Sequence, residues 1–208
     1  MPKTFDADAA IQHLSQADPL LGDVIARVGA CRFEGKAEGS HFGALARAIV
    51  YQQLSGKAAG TIHGRFLDLF GGEPTPAQVL DAPDEALRGV GLSRQKLAYM
   101  RDLAAHVEDG RLPLDHIATL DDDELIKALV AVKGVGRWTA QMFLMFRLGR
   151  PDVLPELDLG VQKAVMLAYR LEALPKPKEL TAMGERWRPY RSIAAWYWWR
   201  SLEIEPLD

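Results

Sequence analysis

The chain has 208 residues, of which 48% are hydrophobic and 25% charged, so it can bury a core and is too mixed in composition to be disordered. Its net charge of −3 argues against binding nucleic acid through bulk positive charge, and its single cysteine excludes disulfide frameworks, four-cysteine zinc sites and cysteine-ligated iron–sulfur clusters. No segment has the ~18 apolar residues of a membrane helix or the pattern of a signal peptide, so we expect a cytoplasmic protein.

Helices are predicted along most of the chain, because apolar residues recur at spacings of three and four. The sequence therefore predicts an all-α protein. Residues that commonly cap helices precede five of these stretches, namely Ser40, Ser55, Thr75, Ser93 and Asp121. Gln53 continues the apolar stripe of the helix after Ser40, which is an unusual place for a polar residue.

The second half of the chain contains a glycine turn and an aspartate at a predicted helix start. Residues Gly134-Val135-Gly136 must break a helix, because closely spaced glycines favour positive φ angles, and a second helix is predicted through Leu148. Asp158 follows a proline-containing connection and is expected to cap the next helix. The tail is predicted to form one aromatic-rich helix from Trp187 to Trp199.

Charge is unevenly distributed along the chain. Residues 1–126 hold 12 basic against 19 acidic residues, whereas residues 127–200 hold 13 basic against 6 acidic. The second region is therefore basic, with a net charge of +7, although the whole chain is acidic.

The glycine turn and its two helices form a helix-hairpin-helix element. The backbone N–H groups of the turn and of the second helix start, together with the helix dipole, can bind a phosphate with little net charge. The alternative is a plain glycine turn between two core helices.

Five ordered blocks resemble the helix-hairpin-helix (HhH-GPD) DNA glycosylase superfamily, and within it the type II 3-methyladenine DNA glycosylases of alkylation repair. They are residues 48–55, residues 91–93 with Lys96, residues 132–140, residues 154–163 and residues 186–192. The resemblance implies two helical lobes with a central cleft. Residues 41–150 would form the central lobe with the hairpin, and residues 151–208 the C-terminal lobe, against which an N-terminal helical segment, 1–40, packs.

Asp158 falls on the essential aspartate of that family, so the resemblance implies a catalytic carboxylate there. The implied reaction is the hydrolysis of the N-glycosidic bond of cationic bases such as 3-methyladenine and 7-methylguanine, after base flipping. Asp158 could instead be an ordinary helix cap, whose loss costs ~1 kcal/mol. Glu156, two residues earlier, leaves a paired-carboxylate sugar hydrolase as a minor alternative.

The resemblance also implies an aromatic base pocket that contains Trp138, Met142 and Trp199. Relatives that nick the strand have a Schiff-base lysine at the position of Trp138, and an indole cannot form that imine, so the chain resembles the monofunctional branch. The alternative for Trp138 is a core filler under the hairpin. Met142 departs from the tyrosine common in the family, which leaves the range of substrates open.

The remaining implied sites concern DNA and a cation. The turn at Gln53 and Leu54 would enter the minor groove, and the hairpin would bind DNA. The expected hairpin contacts are Gly134, Gly136, Arg137 and Thr139. The carbonyl groups of Val130, Val132 and Val135 would hold a monovalent cation, Na+ or K+, and no other cofactor is required.

The expected partner is double-stranded DNA that contains alkylated bases, bound by a nucleoid-associated monomer. Two alternatives remain open at this point. One is a helix-hairpin-helix protein that binds lesions without catalysis, and the other is a glycosylase with lyase activity.

Overall fold

A computed structural model describes residues 5–35 and 39–204, and every regular element in these two ranges is a helix. The all-α prediction is therefore confirmed. The twelve α-helices of the described residues are α1 (Ala7–Ala17), α2 (Pro19–Val28), α3 (His41–Tyr51), α4 (Gly56–Phe70), α5 (Pro76–Asp81), α6 (Asp84–Gly89), α7 (Arg94–Glu108), α8 (Asp122–Val130), α9 (Arg137–Met142), α10 (Leu159–Ala168), α11 (Pro177–Gly184) and α12 (Arg191–Ser201). Among the described residues, no helix is both long enough and apolar enough to cross a membrane.

The chain divides into two compact units. Residues 1–36 and 144–208 form one, which we call the terminal unit, and residues 37–143 form the other, the central unit. In the terminal unit α2 packs against α1 and α12, and α12 also packs against α10. In the central unit α7 packs against α3, α5 and α6, while α8 packs against α9.

Asp18 joins three segments in the core of the terminal unit. Its carboxylate caps α2 by accepting a hydrogen bond from the Leu21 N–H at 3.3 Å, and it also accepts from the Trp187 indole at 2.7 Å and from the Tyr169 hydroxyl. Asp18 is only 1% exposed, and buried polar groups are stable where their hydrogen bonds are satisfied. This network ties the N-terminal helices to the C-terminal part of the chain.

The predicted caps are confirmed at every helix start for which they were proposed. The side chains of Ser40, Ser55, Thr75, Ser93 and Asp121 each accept a hydrogen bond from a backbone N–H in the first turn of the following helix. Each cap satisfies one of the N–H groups that a helix start leaves without an intrahelical partner.

Two predicted helices are wrong in their extent. The helix after the hairpin keeps regular α geometry only to Met142 and continues as a π-helical turn, Phe143–Arg147. The tail does not form one helix from Trp187 to Trp199, because Trp187 ends a separate 3₁₀ turn and α12 begins at Arg191. Pro189 explains the break, since it has no N–H to donate within a helix.

Candidate active site and nucleic-acid interface

Asp158 lies at the N-terminus of α10, as the sequence predicts. One oxygen of its carboxylate, Oδ1, accepts a hydrogen bond from the Val161 N–H at 2.9 Å and another from the Trp199 indole at 2.8 Å. The side chain is partly exposed. The carboxylate is therefore oriented by two donors from different helices, at a partly exposed position.

The loop before Asp158 is held by short turns and by the helix that follows it. The Asp158 N–H donates to the Pro155 carbonyl at 2.9 Å, and the Glu156 N–H donates to the Leu154 carbonyl at 3.0 Å. The buried side chain of Gln162, on α10, donates to the Glu156 carbonyl at 2.8 Å. These hydrogen bonds hold the backbone of residues 154–158 and so position the Cα atom of Asp158.

Trp199 reaches Asp158 because a glycine leaves room for its ring. A Cβ atom on Gly160 would lie 3.0 Å from Trp199 Cδ1 and 3.0 Å from Asp158 Oδ1. The indole also stacks on Phe146, with ring centroids 5.8 Å apart and planes inclined by 30°. Gly160 was not predicted as a site residue, and its sequence signal is a glycine in the first turn of a helix, where a larger residue would favour helix formation.

The start of α12 is anchored to the segment that leads to this loop. Arg191 donates to Asp152 Oδ1 at 2.8 Å and to the Asp152 carbonyl at 2.7 Å. The fully buried Ser192 hydroxyl accepts from the Val153 N–H at 2.9 Å and donates to the Arg150 carbonyl at 2.7 Å. The helix that carries Trp199 is thus tied to the chain that carries Asp158.

The hairpin in the central unit is a tight turn between α8 and α9. Gly134 adopts φ = +82°, and the Val135 N–H donates to the Val132 carbonyl at 3.1 Å. Gly136 is the N-terminal cap residue of α9 and has no side chain with which to cap it. Arg137 is exposed and Thr139 is partly exposed beside it, so this turn presents backbone and side-chain donors at the surface.

Trp138 does not fill the core of the central unit. It is 46% exposed, and Met142, one turn later on α9, is partly exposed. The core-filler interpretation is therefore wrong. The exposed Trp138 indole lies in the first turn of α9, directly after the hairpin.

A second exposed turn joins α3 to α4. The first of these helices ends at Tyr51, and Gln53 adopts a left-handed conformation with φ = +57°. Gln53 therefore lies outside the helix, which explains a polar residue in register with an apolar stripe. Gln53 and Leu54 are both exposed at the tip of the turn.

Both turns are held by side chains that the site prediction did not include. The Lys96 ammonium, on α7, donates to the carbonyl groups of Val50 at 2.7 Å and Gln52 at 2.8 Å, which fixes the end of α3. The Gln52 amide then donates to the Gly134 carbonyl at 2.7 Å. Burial lowers the pKa of Lys96, as expected for an ammonium partly removed from water.

Helix α7 also supports the hairpin directly. The Asp102 carboxylate accepts from the Lys133 N–H at 2.8 Å and lies 3.5 Å from the Lys133 ammonium and 3.4 Å from His106 Nδ1. Burial alone would raise the pKa of Asp102. The Lys133 hydrogen bonds and the electrostatic interactions with His106 and Lys133 outweigh burial and hold that pKa below its ordinary value.

A glycine hairpin followed along the chain by an oriented carboxylate at a helix start has the features of a helix-hairpin-helix repair protein. The family model described as "HhH-GPD superfamily base excision DNA repair protein" matches residues 46–189. The chain therefore belongs to the HhH-GPD superfamily of base excision DNA repair proteins.

Known structures and sequences agree with this family. A DNA-3-methyladenine glycosidase from Bacillus halodurans is 37% identical, with a TM-score of 0.85 over 92% of this chain and 88% of that chain. A 3-methyladenine DNA glycosylase of Schizosaccharomyces pombe, solved in complex with abasic DNA, is 32% identical, with a TM-score of 0.79 over 96% of this chain and 99% of that chain. A putative DNA-3-methyladenine glycosylase of Bacillus subtilis is 33% identical over 79% of this chain, which spans 60% of that relative's length. These likenesses confirm the HhH-GPD fold.

Proposed function

We propose that the protein is a monofunctional DNA glycosylase that removes alkylated, positively charged bases such as 3-methyladenine and 7-methylguanine from double-stranded DNA. The products are the free base and an abasic site. The observation that carries this proposal is the Asp158 carboxylate, oriented by two donors at a helix start in a chain of the HhH-GPD superfamily. The names of the similar proteins support the choice of substrate.

Asp158 would stabilise the positive charge that develops on the sugar as the glycosidic bond breaks, and would orient the attacking water. An opposite charge 4 Å away contributes ~4 kcal/mol at an effective dielectric constant of 20, before desolvation. That energy corresponds to about three decades in rate. One carboxylate is sufficient because a cationic alkylpurine leaves as a neutral base and requires no strong general acid.

Trp138 would recognise the cationic base through the face of its indole. A cation over an aromatic face is worth ~0.5–2 kcal/mol, and the side chain is 46% exposed and so accessible to a ligand. The position holds no lysine, so no imine to the sugar can form there. Met142 is the adjacent apolar group on α9 and would tune the width of the pocket.

DNA would be bound by the hairpin and by the exposed turn of the central unit. The backbone N–H groups around Gly134 and Gly136 would contact phosphate, with Arg137 and Thr139 beside them, and the turn at Gln53 and Leu54 would fill the space left by the flipped base. The basic balance of residues 127–200 supports this assignment.

The cation site would use backbone oxygen atoms of the same hairpin. The carbonyl groups of Val130, Val132 and Val135 would bind Na+ or K+, and hard cations prefer such oxygen ligands. The Val132 carbonyl also accepts the Val135 N–H, which leaves its second lone pair for an ion. Bound there, the ion would add positive charge at the phosphate contact.

The decisive experiment compares wild type, Asp158→Asn and Glu156→Gln on duplex DNA that carries 7-methylguanine. Asparagine caps helices as well as aspartate does, so Asp158→Asn keeps the fold and removes the charge. We expect base release to fall by at least ~100-fold in Asp158→Asn, with duplex binding retained, and to change little in the matched Glu156→Gln variant. Free base and nicked strand are scored separately.

Three outcomes would contradict the proposal in different ways. Full excision by Asp158→Asn would remove Asp158 from the reaction. Strand nicking with an adduct that borohydride traps would indicate a lyase. Lesion binding by the wild type with no released base would indicate a protein that recognises damage without excising it.

A further inference from the structure

We infer that Trp199 is a positioning residue that acts on the reaction through Asp158, rather than a ring that stacks on the flipped base. This inference rests on the proposed role of Asp158 and concerns how its carboxylate is held. It revises the expectation that Trp199 lines the base pocket.

The first observation is the shared acceptor. Asp158 Oδ1 receives the Val161 N–H at 2.9 Å from its own helix, α10, and the Trp199 indole N–H at 2.8 Å from α12. Two donors on one oxygen restrict rotation of the Asp158 side chain and so orient its carboxylate. Hydrogen bonds to a charged acceptor are also stronger than neutral ones.

The second observation is that the surroundings of the indole favour this contact. Gly160 lies under the ring, and a Cβ atom there would be 3.2 Å from Trp199 Nε1 and 3.0 Å from Asp158 Oδ1. Phe146 stacks on the indole, and the buried Phe33 packs against Phe146 with ring centroids 5.8 Å apart. The ring is thus supported by aromatic neighbours while its N–H points to the carboxylate.

The anchoring of α12 supports the contact. The Arg191 hydrogen bonds to Asp152 and the buried Ser192 hydroxyl join the start of α12 to the chain just before Asp158. A group that stabilises developing charge is most effective when it is oriented before the reaction, because it then needs no reorganisation. Trp199 would supply that orientation.

The two roles predict different kinetic effects. A base-stacking ring contributes to the affinity for the lesion, whereas a positioning donor contributes to the rate of bond cleavage. Trp199→Phe keeps an aromatic ring against Phe146 and removes the N–H. We expect the single-turnover rate of 7-methylguanine release to fall about 10- to 100-fold, and the Kd for the same duplex to stay within about twofold.

Trp196→Phe is the matched control, because it removes an indole N–H from the same helix at a ring that contacts Tyr197 and Arg200. It should change neither rate nor affinity. Gly160→Ala is a second variant that keeps the indole. Its Cβ atom would lie 3.0 Å from both Trp199 Cδ1 and Asp158 Oδ1, so it crowds their contact and should lower the single-turnover rate. Thermal melting of each variant shows whether a lower rate of base release is due to misfolding.

An NMR measurement tests the hydrogen bond without activity. The indole ¹H–¹⁵N resonance of Trp199, one of five tryptophans, is assigned by its loss in Trp199→Phe. It should shift in Asp158→Ala, while that of Trp196 should not. An unchanged Trp199 resonance would overturn the inference, as would a weaker Kd with an unchanged rate in Trp199→Phe. If Asp158→Asn retains full excision, the proposed role of Asp158 in the reaction fails and the inference fails with it, although base release itself is still observed. A shifted indole resonance would then show only a structural contact.

Discussion

The two units use different means to hold the groups that we assign to function. In the terminal unit one carboxylate is fixed by side-chain and backbone donors from two helices, α10 and α12. In the central unit the proposed DNA contacts lie on two turns. These turns are held by side chains of α7 and by the hydrogen bond from Gln52 to Gly134.

This difference separates the expected consequences of mutation. Changes around Asp158 should alter the rate of base release and leave duplex affinity unchanged. Changes around the two turns should alter stability and duplex affinity, because a turn that loses its support no longer presents its N–H groups to phosphate. Each of the following variants tests that separation in the central unit.

Gly134→Ala should have the largest effect. Gly134 has φ = +82°, and a Cβ atom there would lie 2.1 Å from Tyr99 Cδ2, so the ring or the turn must move. We expect a loss of roughly 2–4 kcal/mol in the free energy of unfolding, together with weaker duplex binding. Denaturant titration and fluorescence anisotropy with undamaged duplex measure the two effects.

Gly136→Ala, in the same hairpin, is its control. Gly136 has φ = −84°, and a Cβ atom there would meet nothing within 4 Å, so the change should cost less than about 1 kcal/mol. Equal losses in the two variants would mean that the contact with Tyr99 does not determine the shape of the hairpin.

Lys96→Met should have an intermediate effect. The variant keeps most of the length of the side chain but removes the donor to the carbonyl groups of Val50 and Gln52. We expect a loss of about 2 kcal/mol in the free energy of unfolding, with weaker duplex binding. Lys127→Met removes the same charge from an exposed position on α8 and controls for net charge. If both variants bind DNA equally weakly, charge and not the support of the turn is responsible.

Local sequence signals predicted the helix starts and the turns but not their supports. Ser40, Ser93 and Asp158 were identified as caps because capping depends on a side chain and an N–H two or three residues away. The Gly134 turn was predicted for the same reason, since a positive φ is a local property.

The contacts that support the site were not predictable from pattern, because they join distant parts of the chain. Lys96 is 44 residues from Gln52, and Gln52 is 82 residues from Gly134. Trp199 was identified by resemblance as a pocket aromatic. Its hydrogen bond to Asp158, which is 41 residues away, was not predicted. No periodicity specifies which residues meet across such distances.

Asp102→Asn should have the smallest effect, and that effect should depend on pH. Asparagine can still accept the Lys133 N–H, so the variant removes mainly the charge that faces Lys133 and His106. The pKa of Asp102 is lowered in the folded protein, so its carboxylate stabilises the fold above the unfolded-state pKa of about 3.9. This stability is lost as the pH falls through the lower, folded-state value. We therefore expect wild type to be more stable than Asp102→Asn by about 1 kcal/mol at neutral pH, and the difference to shrink below about pH 4.

Asp109→Asn, which breaks an exposed pair with Arg111, is the control and should cost less than about 0.5 kcal/mol at neutral pH. A difference between wild type and Asp102→Asn that does not change between pH 7 and pH 3 would show that the charge of Asp102 does not support the hairpin.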